Sequence, residues 1–557
     1  MAVHHPLWGF QLHVASLLAY AAKTPVRAED IVLSLPKVQG MADITVTAAL
    51  RFAPKGQALA VAQTVAKGLV KSMDCTVESV TVDGPGYLNI RLSKTAMAAI
   101  ARWAHDAGPN VYGRGSNTGT PILLEFVSAN PTGPLHVGHT RGAAVGDSLA
   151  RLLRFSGRSV TTEYYLNDAG SQVETLGRSV LARWEQALGR DVALPTPAYP
   201  GAYLVPVGKE LAVLQGAPGD DGLDVATTFG LERMISGIQG DLGDVSVAFD
   251  RFVSEQKARD AYLVDALQTI GEAGLLFEAV PPAAAEGGGG EGLCLMMQTT
   301  LFGDDQDRVV RKADGSFTYF AGDLAHFAQS IAEGHTRFVV VLGADHAGYK
   351  ARLQGAVQAL SGGRATLDVV FVGLVSLMED GAPVTMSKRA GRFETLHDLV
   401  ADLGSDSVRC SMVSRSAQTP MAFDLNVARS TAKDNPAFYL QYACARLASV
   451  ARSQPNGRAK PMAFHDADRA LMARVALWPF VVQRAAEQMD PHTVYQAAMD
   501  LASHVHALWS QAKTDPKLRL ADTPERAGIA AAALSALSAS VQLLGLVPAE
   551  RMERTTD

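Results

Sequence analysis

Cysteine and charge are both scarce in this chain. Its four cysteines, Cys75, Cys294, Cys410 and Cys444, are scattered over 557 residues and form no C-x-x-C pair. That spacing excludes a disulfide framework and a zinc knuckle, so we expect a reducing, cytoplasmic compartment and no structural metal. Met1 to Gly9 contains His4 and His5 but no basic stretch leading into an apolar core, so no secretory signal is expected. The run Gly287 to Gly290 is not followed by the lysine of a phosphate-binding loop, and it reads as a plain loop. Charged residues are 19% of the chain against 48% hydrophobic, a balance that describes folded domains and not disorder. A net charge of −6 does not advertise a nucleic-acid partner, yet a large enzyme can gather its Lys and Arg on one face, so the exclusion is weak.

One stretch, Ala527 to Val547, carries no charge over the length that a bilayer requires. It is mostly Ala and Ser, with Gln542 inside and Pro548 after it, which reads as the buried helix of a bundle, and no membrane partner is expected. At about 150 residues per domain the length predicts three or four units.

Residues 1–115 mix an amphipathic helix, Ala58 to Ser72, with the alternating run Tyr87 to Leu92, whose Leu88, Ile90 and Leu92 share one strand face. Asp83-Gly84-Pro85-Gly86 supplies the turn before it. This predicts a small N-terminal α/β domain. Ile122 to Val127 is a short apolar strand, followed by a loop of Asn, Pro and Gly, then a helix marked by Val145, Leu149, Leu152 and Leu153, then a second strand from Ser159 to Leu166. Strand, helix, strand is one crossover unit, and its extension is a Rossmann-like, doubly wound parallel sheet, the core of an α/β catalytic domain over 116–430. From about 184 to 300 helical periodicity is broken by Pro-rich and Gly-rich pieces, and we set that stretch apart as an insertion. Apolar strands return at Phe338 to Leu342 and Val369 to Leu377. Residues 431–557 show only helical patterns and predict an all-α bundle. No internal repeat is evident.

The sharpest motif is Ser128-Ala129-Asn130-Pro131-Thr132-Gly133-Pro134-Leu135-His136-Val137-Gly138-His139, between the first strand and its helix. A loop there faces the carboxyl end of the sheet, where nucleotides bind. His136 and His139 can donate to phosphate oxygens, and Gly138 lets a nucleotide approach the backbone. Two incidental histidines at a helix start would also satisfy H-x-G-H, but the longer word favours function. Val384-Thr385-Met386-Ser387-Lys388-Arg389 follows by about 250 residues and offers a mobile ammonium to charge developing on a leaving pyrophosphate.

These two words resemble the HIGH and KMSKS signatures of class I aminoacyl-tRNA synthetases, and their surroundings resemble the arginyl-tRNA synthetase family. The likeness extends to Glu163-Tyr164-Tyr165-Leu166-Asn167-Asp168-Ala169-Gly170, Gly343-Ala344-Asp345-His346 with Tyr349, Asn435 to Tyr442, Gly84 to Asn89, and Leu546 to Met552. It implies ATP, with Mg2+, as a substrate, and L-arginine and tRNA(Arg) as partners of a monomer. It implies a tRNA-contacting domain at 1–115 and an anticodon-binding domain at 431–557. Thr385 stands where the signature has its first lysine, so Lys388 is taken as the catalytic cation, beside Met386 and Ser387 as ATP contacts. Gly133 holds the place where family members lacking a good second signature carry a compensating lysine, which suits a chain that keeps Lys388.

A guanidinium needs planar carboxylates. Glu125 ends the first strand, and Tyr319 and Asp323 lie four apart, on one face if helical. Asp323 as a local surface cap is the plainer alternative. The resemblance implies that Glu125, Tyr319 and Asp323 hold the guanidinium, and that Ser128 and Asn130 hold the polar end of the amino acid. Asp345 and His346 either touch ATP or satisfy buried amides, and His326 and His335 read as structural or surface residues. Two other readings stay open: another class I synthetase or a nucleotidylyltransferase, told apart by ATP consumption with each amino acid, and a non-catalytic tRNA-binding relative, which would not aminoacylate.

Overall fold

The computed structural model describes residues 6–38, 40–73, 75–116, 119–281, 292–384, 395–460 and 464–552. The chain forms two compact units, one of residues 118–154 and 158–429, the other of 1–117, 155–157 and 430–557.

The first of these units is built on a five-stranded, all-parallel sheet. In chain order its parts are β1 (Ile122–Glu125), α1 (Val137–Phe155), β2 (Val160–Leu166), β3 (Arg251–Ser254), α2 (Glu255–Glu272), α3 (Tyr319–Ala332), β4 (Arg337–Gly343), α4 (Tyr349–Ser361) and β5 (Thr366–Val372). The strand order is β5-β4-β1-β2-β3. β1 and β4 are therefore neighbours although far apart in sequence, and the winding reverses between them, which opens a crevice beyond their carboxyl ends. Leu123, Phe338 and Val340 from the sheet pack with Phe320, Leu324 and Phe327 of α3 and with Leu353, Val357 and Leu360 of α4. This core fixes the strand ends that carry the crevice loops.

Two expectations need correction here. β3 lies inside the stretch 184–300 that was set apart as an insertion, yet Tyr164 and Tyr165 of β2 register with Phe252 and Val253 of β3 in the main sheet. Four residues are too few to show a period among long helices. The apolar run Val369 to Leu377 is not one strand: it splits into β5 and a separate strand, Val375–Glu379, that pairs with Met421–Asp424 in another sheet. The break falls at Gly373, where a Cβ would lie 2.7 Å from the carbonyl oxygen of Gln418. Only glycine allows that approach.

The other unit contains both chain ends. A four-stranded antiparallel sheet, in order Leu33–Ser34, Ile44–Val46, Tyr87–Leu92 and Val77–Asp83, packs with helices Pro6–Ala22, Ala58–Ser72 and Lys94–Ala107. Gly86 N–H donates to Asp83 O across the expected turn, at 3.2 Å. Leu88, Ile90 and Leu92 are buried as their alternation predicts. Four long helices, Pro436–Ser453, Asp466–Glu487, Pro491–Gln511 and Pro524–Leu543, form the bundle. The last is the one described helix long and apolar enough to cross a membrane, and 83% of its apolar window is buried within the bundle.

The segments 1–115 and 431–557 lie together in this one unit. Arg469 of the bundle donates to Asp43 at 2.7 Å and to the Leu92 carbonyl at 2.7 Å, with both side chains buried. Arg102 donates to Ala459 O and Trp478 Nε1 to Tyr112 O, at 3.0 and 3.1 Å. Removing one partner of such a buried pair would strand the other charge, so the two segments depend on each other.

Candidate active site

The crevice between β1 and β4 is a cleft of about 720 Å³ that reaches Glu125, Ser128, Asn130, His136, Gly138, His139, Tyr319, Asp323, Asp345 and His346. Ten of the thirteen residues singled out in the sequence thus share one concavity. The other three, Met386, Ser387 and Lys388, lie outside the described residues, as does Thr385.

At one end are the histidines. His136 precedes the first residue of α1, and its Nδ1 accepts from Gly138 N–H at 3.0 Å, so an imidazole serves as the helix cap. His139 Nδ1 accepts from His136 N–H at 3.3 Å, and the two rings stack with centroids 3.8 Å apart. With each Nδ1 accepting, the ring proton sits on Nε2 in both residues, and both present a neutral donor. Burial, and for His139 also the neighbouring His136, favours that neutral form: His136 is lowered, and His139 is lowered to about 4. Gly138 has a steric role, since a Cβ there would lie 2.7 Å from His136 Cε1. Any larger residue would displace the capping ring.

The loop joining β1 to this helix is strained. Val127 and Ser128 both have positive φ, 68° and 42°, and Ser128 N–H donates to Phe126 O at 3.0 Å, closing a γ-turn on a β-branched residue. Such conformations cost about 1–3 kcal/mol each and persist only where neighbours enforce them. Here Ser128 Oγ accepts from Tyr165 N–H at 3.1 Å and Tyr164 Oη donates to Ala129 O at 2.9 Å. The turn swings Ser128 back toward β2. Asn130, further along the loop, donates to Gln172 Oε1 at 2.9 Å.

At the other end are acids. Glu125 at the end of β1, Asp323 one turn into α3 and Glu255 in the first turn of α2 surround Tyr165. Asp323 is pushed up to about 7 by burial and by the like charges of Glu125 and Glu255. Glu125 and Glu255 are raised as well, burial again leading. The Tyr165 hydroxyl is buried without a hydrogen-bond partner among the described residues. Arg259 pairs with Glu255 at 3.6 Å, whereas Glu125 and Asp323 are buried acids whose charged forms burial disfavours, beside an unused hydroxyl. Tyr319 begins α3 and stands exposed at the rim, on the face it shares with Asp323.

Behind the acids lies a buried ion network. His326 bonds Glu163, and Arg251 Nε lies 2.5 Å from the same carboxylate while pairing also with Glu333. Burial opposes the charge on His326, but Glu163, Glu125 and Asp323 outweigh it and raise its pKa. The expectation that His326 is a structural residue is thereby sharpened: it is buried, stacks on Tyr165 at 4.4 Å and supports the acidic end from beneath. Glu125, Glu163 and His326 bring three potential ligand atoms within 4.8 Å of one another, but Arg251 already supplies Glu163 with a cation. Asp345 and His346 are exposed at the end of β4, so the alternative of buried amides does not apply to them. Glu255, Tyr165 and Glu163 were not singled out beforehand. Tyr165 and Glu163 stood within a quoted motif, whereas no spacing signal marks Glu255.

Residues 10–92 match the family described as arginyl tRNA synthetase N terminal domain, 109–188 match tRNA synthetases class I (R), catalytic domain, and 440–552 match the DALR anticodon binding domain. An arginine–tRNA ligase of Roseobacter denitrificans is 37% identical over 555 residues, covering 94% of this chain and 94% of the relative. The chain belongs to the arginyl-tRNA synthetase family. That makes it an aminoacyl-tRNA synthetase enzyme. The arginine–tRNA ligase of Methylobacterium sp. (strain 4-46) is 39% identical over 556 residues with the same 94% coverage of each chain. In fold, the chain resembles Thermus thermophilus arginyl-tRNA synthetase with a TM-score of 0.73 at 21% identity, covering 98% of this chain and 99% of that one. Within this arginyl-tRNA synthetase, the catalytic match spans β1, α1 and β2, and so takes in both the His136 loop and Glu125.

Proposed function

We propose that the cleft condenses L-arginine with ATP to give arginyl-adenylate and pyrophosphate, and then passes the arginyl group to the terminal ribose of tRNA(Arg). The observation that carries this reading is the pair of buried carboxylates Glu125 and Asp323, with Glu255 beside them, at one end of a cleft whose other end presents neutral imidazole donors. A guanidinium neutralises the first, and phosphate oxygens accept from the second. Ser128 and Asn130, between the two ends, hold the amino acid's α-amino and carboxylate groups, while Tyr319 covers the guanidinium.

Arginine's carboxylate then attacks the α-phosphorus, the bond to pyrophosphate breaks, and the ribose hydroxyl later displaces AMP. No protein nucleophile is needed, so His136 and His139 act by positioning and by donating to oxygens as charge develops. Lys388, with Met386 and Ser387, supplies the cation for pyrophosphate. Asp345, His346 and the backbone at Gly138 contact the nucleotide, and Mg2+ enters with ATP. The enzyme works as a cytoplasmic monomer, with 1–115 and 431–557 as its tRNA-contacting segments. Charging of total tRNA with labelled arginine, against a panel of other amino acids, tests the reading: incorporation of arginine alone is expected, and incorporation of another amino acid, or none, would overturn it.

For the RNA, a stacking platform on the bundle supports the assignment. Arg446 lies over the Tyr442 ring at 4.1 Å and the Trp509 ring at 5.3 Å, and Tyr442 stacks with Phe438 and His506. Tyr442 is partly exposed, and an aromatic face backed by a guanidinium suits an unpaired base. Tyr442→Ala should raise the KM for tRNA about 10-fold, by loss of one stacked base at roughly 1–3 kcal/mol, and leave the KM for arginine unchanged. An unaltered tRNA KM would remove Tyr442 from the RNA contact.

A further inference from the structure

His136 is exposed and His139 half-buried, their rings stack on each other, and each Nδ1 accepts from a backbone N–H group of the same turn. Where the imidazoles stand therefore depends on the backbone on either side of them, at Leu135 and Val137, both buried. Leu135 is gripped twice. Its N–H donates to Asp241 Oδ2 at 2.9 Å, and its carbonyl accepts from Leu396 N–H at 2.7 Å.

Both grips come from elements that are themselves fastened. Asp241 is buried near the end of helix Gly222–Asp244. Just beyond that helix, Val245 O accepts from Arg409 Nη1, and Ser246 O accepts from Arg151 Nη2 at 2.9 Å. Arg409 and Arg151 both also pair with Asp147 of α1, the helix that His136 caps. Leu396 opens helix Leu396–Leu403, held at its start by the reciprocal bonds of Thr395 and Asp398 and by the His397 Nδ1 to Asp244 contact of 2.7 Å. Leu135 thus sits in a closed bracket of three helices.

We propose that Asp241 is a positioning residue for ATP, acting through the Leu135 backbone to set where the His136 and His139 donors stand. Its carboxylate reaches the loop directly, as a side-chain acceptor for the Leu135 N–H. A misplacement of about 1 Å in such a loop can cost on the order of 10²-fold in rate. The inference rests on the reading that the histidines serve the ATP phosphates.

The test is tRNA charging by full-length variants, with ATP and arginine varied separately. Asp241→Ala should lower kcat/KM for ATP on the order of 10- to 10²-fold while the KM for arginine stays within about 2-fold. Asp241→Asn keeps an acceptor for the Leu135 N–H and should recover most of that loss, and the split between ATP and arginine separates positioning from a folding defect, which would lower both. Wild-type ATP kinetics in Asp241→Ala, an Asn variant as impaired as the Ala variant, or equal losses toward arginine and ATP would each overturn the proposal. If His136→Ala and His139→Ala also leave ATP kinetics unchanged, the underlying reading fails instead.

Discussion

Replacing Asp323 by asparagine is expected to raise the KM for arginine on the order of 10²-fold, equivalent to about 2.7 kcal/mol, with the KM for ATP close to normal. The substitution keeps the shape and removes one of the charges that we propose answer the guanidinium. The ionisation of Asp323 gives the experiment a second readout. Asp323 is pushed up to about 7 by burial, Glu125 and Glu255, so in the free enzyme it gains a proton as the pH falls through neutrality. Arginine needs the ionised form. kcat/KM for arginine should therefore be flat above pH 7 and fall toward tenfold per unit below it, and the Asn variant should lose that inflection. The same change should raise the melting temperature of the ligand-free enzyme at pH 8. There the native carboxylate is ionised among like charges at a pKa above its unfolded value, which subtracts from stability, and the amide avoids that cost. A variant with normal arginine KM, or with both KM values raised together, would make Asp323 a structural acid.

His139→Ala is expected to lower the turnover of adenylate formation on the order of 10²- to 10³-fold, with little change in arginine KM, as removal of one donor to developing charge commonly does. The Nδ1 contact with His136 N–H fixes the proton on Nε2. With the ring lowered to about 4, no inflection belonging to His139 should cross the profile between pH 5 and 8. His139→Gln retains an N–H donor on a comparable reach and should recover part of the rate. Turnover near normal in the Ala variant would show that His139 only packs against His136.

Much of the candidate site was legible in the sequence because it is written in short contiguous words. Ser128 to His139 is one loop and the start of one helix, and Tyr319 with Asp323 is one helical turn. The unread part is assembled across the sheet. Glu255 enters from the helix after β3, and β3 is four residues long, buried between helical stretches that mask it. His326 looked ordinary because its significance depends on Glu163 and Arg251, from β2 and β3, which no spacing along the chain connects. Val369 to Leu377 read as one strand because composition does not record the sheet change at Gly373. Periodicity reports which face of an element is apolar. It does not report which elements meet.

The ion pair between Asp43 and Arg469 also sets an order of events during synthesis. The N-terminal sheet is complete once Leu92 has emerged, but the arginine that joins Asp43 and the Leu92 carbonyl is translated more than 300 residues later. At about 5–20 residues per second that interval is roughly 20–75 s. Throughout it, the catalytic unit, whose residues fall between the two halves of the other, can fold while Asp43 still awaits its partner. A nascent chain stalled before Arg469 should accordingly carry a protease-resistant catalytic unit and a protease-sensitive amino terminus.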